Sequence, residues 1–423
     1  MTDMTQKYAA LAPTSAQKFR QRIVPLILLA VVLAIIPMFG PSRTVYSLLN
    51  AMGINIVFAL SYNMLLGRGG LLSFGHAVYF GLGGFAAVHA MGAIGDAESG
   101  FWANYPVFFL PVIGFAGGAL AGFIIGWPSC KRAGTPFAMI SLGIAELIAA
   151  AGFMFGSIFG GEEGVSADRM VGTEFAGLSL GPISDVYWFI AFWTVVGVMG
   201  MFAFTRTPLG KLSEATRDNP ERVEFIGYNP TRVRYLVFIF AGAFAGLSGG
   251  MAAVNYEIFT PEALSLAPSG LVLLMAYIGG IRYFTGPILG AILLTYMQSM
   301  LSDYTEAWLL YLGLLFVCIV MFAPGGLGGV LYGFTDALRS GKLGEMMGKW
   351  AGQVFGAALA LFGMIILVEV AVYWSNGFGE TFEPYGLHLT FSNPLTWVLI
   401  VVPLAAGIYI LRRLATKEEG VIA

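Results

Sequence analysis

Residues 206–234 read RTPLGKLSEATRDNPERVEFIGYNPTRVR, with six basic and four acidic residues in a 423-residue chain that is only 11% charged. Apolar runs at 186–205 and 235–256 flank the stretch. Each is long enough to cross a bilayer core at about 1.5 Å per helical residue. A polar segment between two such runs is a loop held against one membrane face. Within it, Ser213-Glu214-Ala215-Thr216 reads as a helix start, with a hydroxyl cap and Glu214 near the positive end of the dipole. Pro220 either interrupts that helix or opens a second one, and Gly227 with Asn229-Pro230 supplies turn chemistry. Short amphipathic turns along a membrane suit the docking of a soluble partner; a solvated connector accounts for the charge alone equally well.

The rest of the chain is organised around this loop. It is 57% apolar, with 57 glycines and 34 phenylalanines, well outside soluble averages. The composition predicts an all-α polytopic membrane protein. Apolar runs at 23–39, 44–67, 71–95, 106–128, 136–160, 186–205, 235–256, 268–281, 285–302, 307–324, 351–374 and 395–411 give about twelve transmembrane helices. The first follows Lys7, Lys18, Arg20 and Arg22, as a signal sequence would, yet no small-residue cleavage site follows and a second apolar run begins at once. It reads as an uncleaved span. With the N-terminal segment 1–22 inside, twenty of the 22 Lys and Arg residues fall on the side of the central loop, leaving Arg43 and Arg169 outside. Cytoplasmic loops collect basic residues, so both termini and residues 206–234 are expected in the cytoplasm and the chain in the inner (plasma) membrane.

Several classes of activity are excluded. No loop approaches the roughly 100–150 residues of a soluble domain. A phosphate-binding loop is absent, because Gly341-Lys342 has Asp336 at the position of the required glycine and Leu343 after it. His76, His89 and His388 show no metal-ligand spacing, and no nucleophile elbow occurs. Cys130 and Cys318 form no disulfide framework and read as packing residues. No enzymatic activity, no cofactor of its own and no nucleic-acid partner are expected.

Transport fits many glycine-rich helices carrying few, isolated polar groups. Glu146 is mid-span, where a carboxylate costs about 2.5–3.5 kcal/mol on insertion scales, so it either lines a path or is an anchor bonded to a neighbouring helix. Asn55, Asn63 and His76 are path candidates or interhelical hydrogen-bonders, and Ser73 joins the path candidates. Glu369, near the outer end of its span, snorkels or pairs. Two glycine-rich segments, 69–75 and 279–286, recur in the two halves, as discontinuous transporter helices do; close helix packing accounts for either one alone.

The segments NMLLGRGGLLSFGHAVYFGLGG (63–84), RAGTPFAMISLGIAELI (132–148), GKLSEATRDNPERVEFIGYNPTRVRYLVFIFAGAFAGLSGGM (210–251), FTPEALSLAPSGLVLLMAYIGG (259–280) and GPILGAILL (286–294) resemble the membrane permease of branched-chain amino acid ABC importers. The resemblance covers about residues 44–328 and implies a permease transmembrane domain over 23–328. It implies that residues 206–234 dock an ATPase subunit, which uses the ATP, with Glu214, Ala215, Arg217, Asp218, Asn219, Gly227 and Asn229 as the coupling element. It implies a second, homologous permease subunit and an extracytoplasmic solute-binding protein, the outer segment Gly160-Gly161-Glu162-Glu163-Gly164 resembling the glycine-rich segment of relatives.

Two departures stand out. Relatives commonly read G-G-x-G-S after the eighth span, whereas this chain has Gly279-Gly280-Ile281-Arg282-Tyr283-Phe284. Relatives usually stop soon after a GGLGG like that at 325–329; this chain continues through a segment at 329–350 that reads as interfacial helix and a two-span extension at 351–423. A stand-alone secondary transporter using an intramembrane carboxylate is the rival expectation.

Overall fold

The computed structural model of the protein describes residues 27, 29–175, 177–303, 308–323, 325–340, 343–375, 381–382, 389–390 and 394–419. The N-terminal segment 1–22, Gly341-Lys342 and His388 lie outside them. The described residues are predominantly helical. In order come α1 (Leu29–Phe39), α2 (Arg43–Asn63, running on through a π-turn at Met64–Arg68), α3 (Ala77–Gly95), α4 (Leu110–Ser129), α5 (Thr135–Met154) and α6 (Ile183–Phe204). The central loop forms α7 (Pro208–Asp218) and α8 (Pro220–Phe225) before α9 (Pro230–Tyr256). Then follow α10 (Leu266–Gly279), α11 (Gly286–Leu301), α12 (Trp308–Phe322), α13 (Gly326–Ser340), α14 (Leu343–Ser375) and α15 (Pro394–Glu419). Six helices, α2 to α6 and α9, are long and apolar enough to cross a membrane, and the remaining apolar runs carry shorter apolar helices. This is an all-α polytopic membrane protein.

Packing divides the described residues into two units, Met1–Ser299 with Phe316–Gly329, and Met300–Leu315 with Val330–Ala423. In the first, α9 is the central helix. Its Gly242, Gly246 and Gly250 lie against Gly114 and Gly118 of α4, so closely that a Cβ on Gly118 would stand 2.8 Å from the Gly246 Cα. Glycine faces let backbones touch, the form of helix association that an apolar solvent favours. On the other side α2 is bound to α9 by polar bonds: Asn50 Nδ2 donates to Asn255 Oδ1 at 3.0 Å, and Ser248 Oγ to the Ile54 carbonyl at 2.8 Å.

One helix in this unit, α10, is too short to span alone, and a broken stretch precedes α3. α10 has 14 residues, about 21 Å, against a hydrocarbon core of roughly 30 Å. The missing length is supplied by residues 257–265, which run beside α3: Gly84 meets the Phe259 ring and Gly81 meets Leu264. A counterpart precedes α3, where residues 69–76 leave the π-turn without helix. This stretch is clamped on both sides, Phe74 N–H donating to Ser141 Oγ of α5 at 3.2 Å and Ala77 N–H to Ser269 Oγ of α10 at 3.0 Å. The starts of α3 and α10 therefore meet. Ser141 lies six residues along α5 from Thr135, so the meeting point is about 9 Å inside that end of the bundle. The π-turn that leads into the first glycine-rich segment also approaches the second, since a Cβ on Gly67 would come 2.6 Å from the Ile281 carbonyl oxygen. The Gly279–Phe284 turn packs on the GGLGG segment, with Gly280 against Gly325 and Gly326.

In the second unit α14 and α15 run antiparallel, Gly356 facing Ile410 and Gly363 facing Ile400 and Leu404. A two-residue ladder pairs Thr381 with Thr390 and Phe382 with Leu389. Residues 343–350 belong to the 33-residue helix α14; the segment expected at 329–350 is thus divided between α13 and α14. Glu369 is paired, accepting from Tyr311 Oη at 2.7 Å.

Candidate functional site

The central loop is built by one device used three times. Thr207-Pro208, Asn219-Pro220 and Asn229-Pro230 each place a capping oxygen before a proline at the first helical position. Thr207 Oγ1 accepts from Gly210 N–H at 3.1 Å, Asn219 Oδ1 from Arg222 N–H at 3.0 Å, and Asn229 Oδ1 from Thr231 N–H at 2.9 Å. The helix start expected at Ser213 is therefore corrected to Thr207. Ser213 is buried mid-helix and its hydroxyl donates back to the Gly210 carbonyl at 2.8 Å. Glu214 consequently gains nothing from the positive end of the dipole; its carboxylate is paired with the Arg68 guanidinium at the end of the π-turn.

Gly227 ends α8 with φ +89°. Its N–H reaches the Glu224 carbonyl at 2.9 Å, and Tyr228 N–H reaches the Val223 carbonyl at 3.1 Å, the two bonds of a Schellman ending. Arg217 donates from Nη1 to the Gly67 carbonyl and from Nε to Asp218 Oδ1 at 2.9 Å. Of the seven residues expected to form the coupling element, only Ala215 presents its side chain to solvent without a bond that shapes the loop, and Asp218, also exposed, is held by Arg217. The outward tip is instead apolar: Phe225 is 89% exposed, Ile226 65% and Tyr228 51%. These three are missed by a reading that weighs charge, although Phe-Ile-Gly-Tyr in so charged a loop is itself a visible signal.

The intramembrane candidates do not form one cluster. Ser73 and His76 come together with α2, where Tyr62 Oη donates to the Ser73 carbonyl at 3.0 Å and His76 Nε2 is 2.9 Å from Ser61 Oγ. Because the Ser61 hydroxyl donates to the Phe58 carbonyl at 2.7 Å, its oxygen accepts from Nε2–H. Nδ1 then carries the lone pair, and it has no partner among the described residues. The ring lies within an aromatic box of Phe58, Tyr62 and Tyr79. Asn63 is buried nearby with its Oδ1 unpartnered among the described residues, whereas Asn55 bonds α11 through Thr295 Oγ1 at 2.8 Å. Glu146 is elsewhere. α5 turns Ser141 and Ala145 toward Gly75 and leaves Glu146 exposed, with no hydrogen bond or ion pair among the described residues.

On the side opposite the central loop, residues 161–175 and 177–181 fold over the end of α9 around Arg169. Its guanidinium donates to the carbonyls of Leu180 (2.7 Å), Gly181 (3.3 Å) and Asn255 (3.2 Å) and pairs with Glu257 at 3.4 Å. Val165 pairs with Phe259 and Ser166 with Ile258 in a short antiparallel ladder.

Glycine-faced spanning helices, two broken segments and a structured loop on one side define a multi-pass membrane permease. The chain belongs to the family described as the branched-chain amino acid transport system permease component, whose pattern matches residues 44–324. It is 28% identical over 320 residues to the high-affinity branched-chain amino acid transport system permease protein LivM of Escherichia coli (strain K12), covering 70% of this chain and 72% of the relative. LivH of Salmonella typhimurium is 22% identical over 260 residues, 59% of this chain and 82% of its own. A probable LivM of Methanocaldococcus jannaschii is 23% identical over 325 residues, 65% of this chain and 90% of the relative. No solved structure matches. The family comprises transport permease subunits, not enzymes.

Proposed function

We propose that this chain is one permease subunit of an ATP-driven importer for branched-chain amino acids or a related small polar solute. It works beside a second, homologous permease, an ATPase that docks on the central loop, and a solute-binding protein on the opposite face. Likeness to both LivM and LivH supports a paired subunit. Family membership favours an ATP-driven system over the stand-alone carrier. The charge asymmetry supports a cytoplasmic position for both termini and for residues 206–234.

The observation that carries the reading is Glu146. A mid-helix carboxylate left exposed by its own chain is too costly to face lipid, by about 2.5–3.5 kcal/mol. A water-filled path shared with a second subunit removes that cost. The exposed aromatic tip of the loop supports docking, because large aromatics in solvent are the residues on which interfaces concentrate binding energy. ATP itself is bound by the partner ATPase.

Affinity purification of the whole importer tests both halves. The unaltered chain should bring down ATPase and a second permease, and Phe225→Asp with Ile226→Asp should lose the ATPase while keeping the second permease. A cysteine at position 340 should react with impermeant maleimide only from the cytoplasmic side. Unchanged ATPase recovery from the double aspartate variant would remove the tip from the docking surface.

A further inference from the structure

Resting on the docking reading above, we infer that Arg68 is a positioning residue for energy coupling: it straps α7 to the π-turn, so that the central loop and the entry to the broken stretch 69–76 move as one piece.

Glu214 and Arg217 are three residues apart and so share one face of α7. Both turn that face to residues 67–70. The Glu214 carboxylate meets the Arg68 guanidinium with side chains only 26% and 20% exposed, and Arg217 Nη1 meets the Gly67 carbonyl. That carbonyl is available because the backbone bonds of Gly69, Gly70 and Leu71 go to Met64, Leu66 and Leu65. Gly70 completes the fit. It stands at φ +66°, and a Cβ there would lie 2.6 Å from Arg217 Cγ. Two charge-assisted contacts therefore hold the loop to a turn 150 residues away in sequence.

The strap has a defined continuation. Beyond Gly70 the chain is clamped by Tyr62 at Ser73, by Ser141 at Phe74 and by Ser269 at Ala77. A displacement of α7 reaches residues 67–70 directly, and from there it passes to α5 beside Glu146 and to the start of α10. The face of α7 that makes the strap is turned to residues 67–70, while Phe225, Ile226 and Tyr228, at and beyond the end of α8, stand in solvent for the ATPase. Receipt and relay of the stroke are thus assigned to different residues.

The test uses the whole importer in proteoliposomes, with leucine uptake and ATP hydrolysis measured on the same vesicles. Arg68→Glu and Glu214→Arg should each retain the ATPase but move about fivefold less leucine per ATP, within the range of coupling effects between distant sites. The double charge swap should recover to within about twofold of the unaltered ratio. A role confined to folding would lower protein yield and leave the ratio alone. Unchanged ratios in both single variants, or a double variant no better than either, overturn the inference. Should the charge variants assemble poorly, Arg68→Cys with Glu214→Cys in a Cys130→Ser, Cys318→Ser background, bridged by a reducible bis-methanethiosulfonate linker that spans the length of the lost side chains, decides. The bridged pair should transport normally, and loss of transport on bridging that reduction restores overturns the inference. An unaltered chain that holds no ATPase would instead sink the docking reading, and this inference with it.

Discussion

The guanidinium of Arg169 donates to the carbonyl of Leu180 at 2.7 Å, and Leu180 holds φ +56°, a left-handed conformation that leucine rarely adopts. Glu257, the ion-pair partner of the same guanidinium, is also left-handed, at φ +59°. One side chain therefore stabilises two unfavourable backbone positions, each costing about 1–2 kcal/mol. Arg169→Gln should release residues 165–170 and 178–181, seen as faster hydrogen exchange there and a lower unfolding temperature. Arg169→Lys should rescue little, because a single ammonium nitrogen cannot occupy the three positions from which Nε, Nη1 and Nη2 reach the carbonyls. Protection equal to the unaltered protein in both variants would refute this role.

Glu146→Gln keeps the shape of the side chain and removes its charge. If the carboxylate lines the path, leucine uptake should fall about tenfold or more while the two permeases and the ATPase still co-purify. Loss of the assembled complex in place of lost uptake would mean that Glu146 holds subunits together.

A Cβ added at Gly227 would have no heavy atom within 4 Å, so a side chain there meets open space and only the backbone objects. Gly227→Ala should destabilise the end of α8 by about 1 kcal/mol, and Gly227→Val by more, since a β-branched residue tolerates φ +89° poorly. Binding of the ATPase, titrated in detergent, should weaken in that order. Equal affinities for glycine, alanine and valine would show that the tip does not depend on the Schellman ending.

Burial pushes the Cys130 thiol up to about 12, and Arg234 offsets this only in part. The native state thus favours the protonated thiol, whereas an unfolded chain ionises near pH 9. Stability from this group is complete below about pH 9 and declines as pH rises from there toward 12. Maleimide should label native Cys130 slowly at pH 8 and rapidly after unfolding, and Cys130→Ser should flatten the alkaline loss of stability. Fast labelling of the native protein would contradict the burial.

The parts of this structure that were legible in the sequence are those written locally. Pro220 opens a second helix of the loop, as its sequence allows, and the short eighth run lies within two residues of α10, whereas Thr207-Pro208 goes unread as a helix start and Asn229-Pro230 reads as a turn although it opens α9. Ser213-Glu214 misleads because a serine inside a helix can return its hydroxyl to the carbonyl three residues back, so a capping residue and an interior one look alike. The glycines at 69–75 announce a break, but its clamps, Ser141 and Ser269, are 67 and 192 residues distant. Arg169 reads as an exception to the charge rule, and its partners are mostly backbone carbonyls, which carry no sequence signature. Phe225 and Ile226 escape notice because acidic and basic neighbours dominate the reading of their loop.

The glycine faces of α4 and α9 bear on how the protein tolerates change. Where side chains interdigitate, a substitution can be absorbed by a rotamer or a small gap. Gly118 and Gly246 offer no such slack, because backbone lies on backbone and a single methyl group must part the helices. Sequence drift at these positions meets a threshold and not a slope. The pair is also poorly suited to gradual sliding, so α4 and α9 are best regarded as one stiff post against which the broken segments at 69–76 and 257–265 can shift.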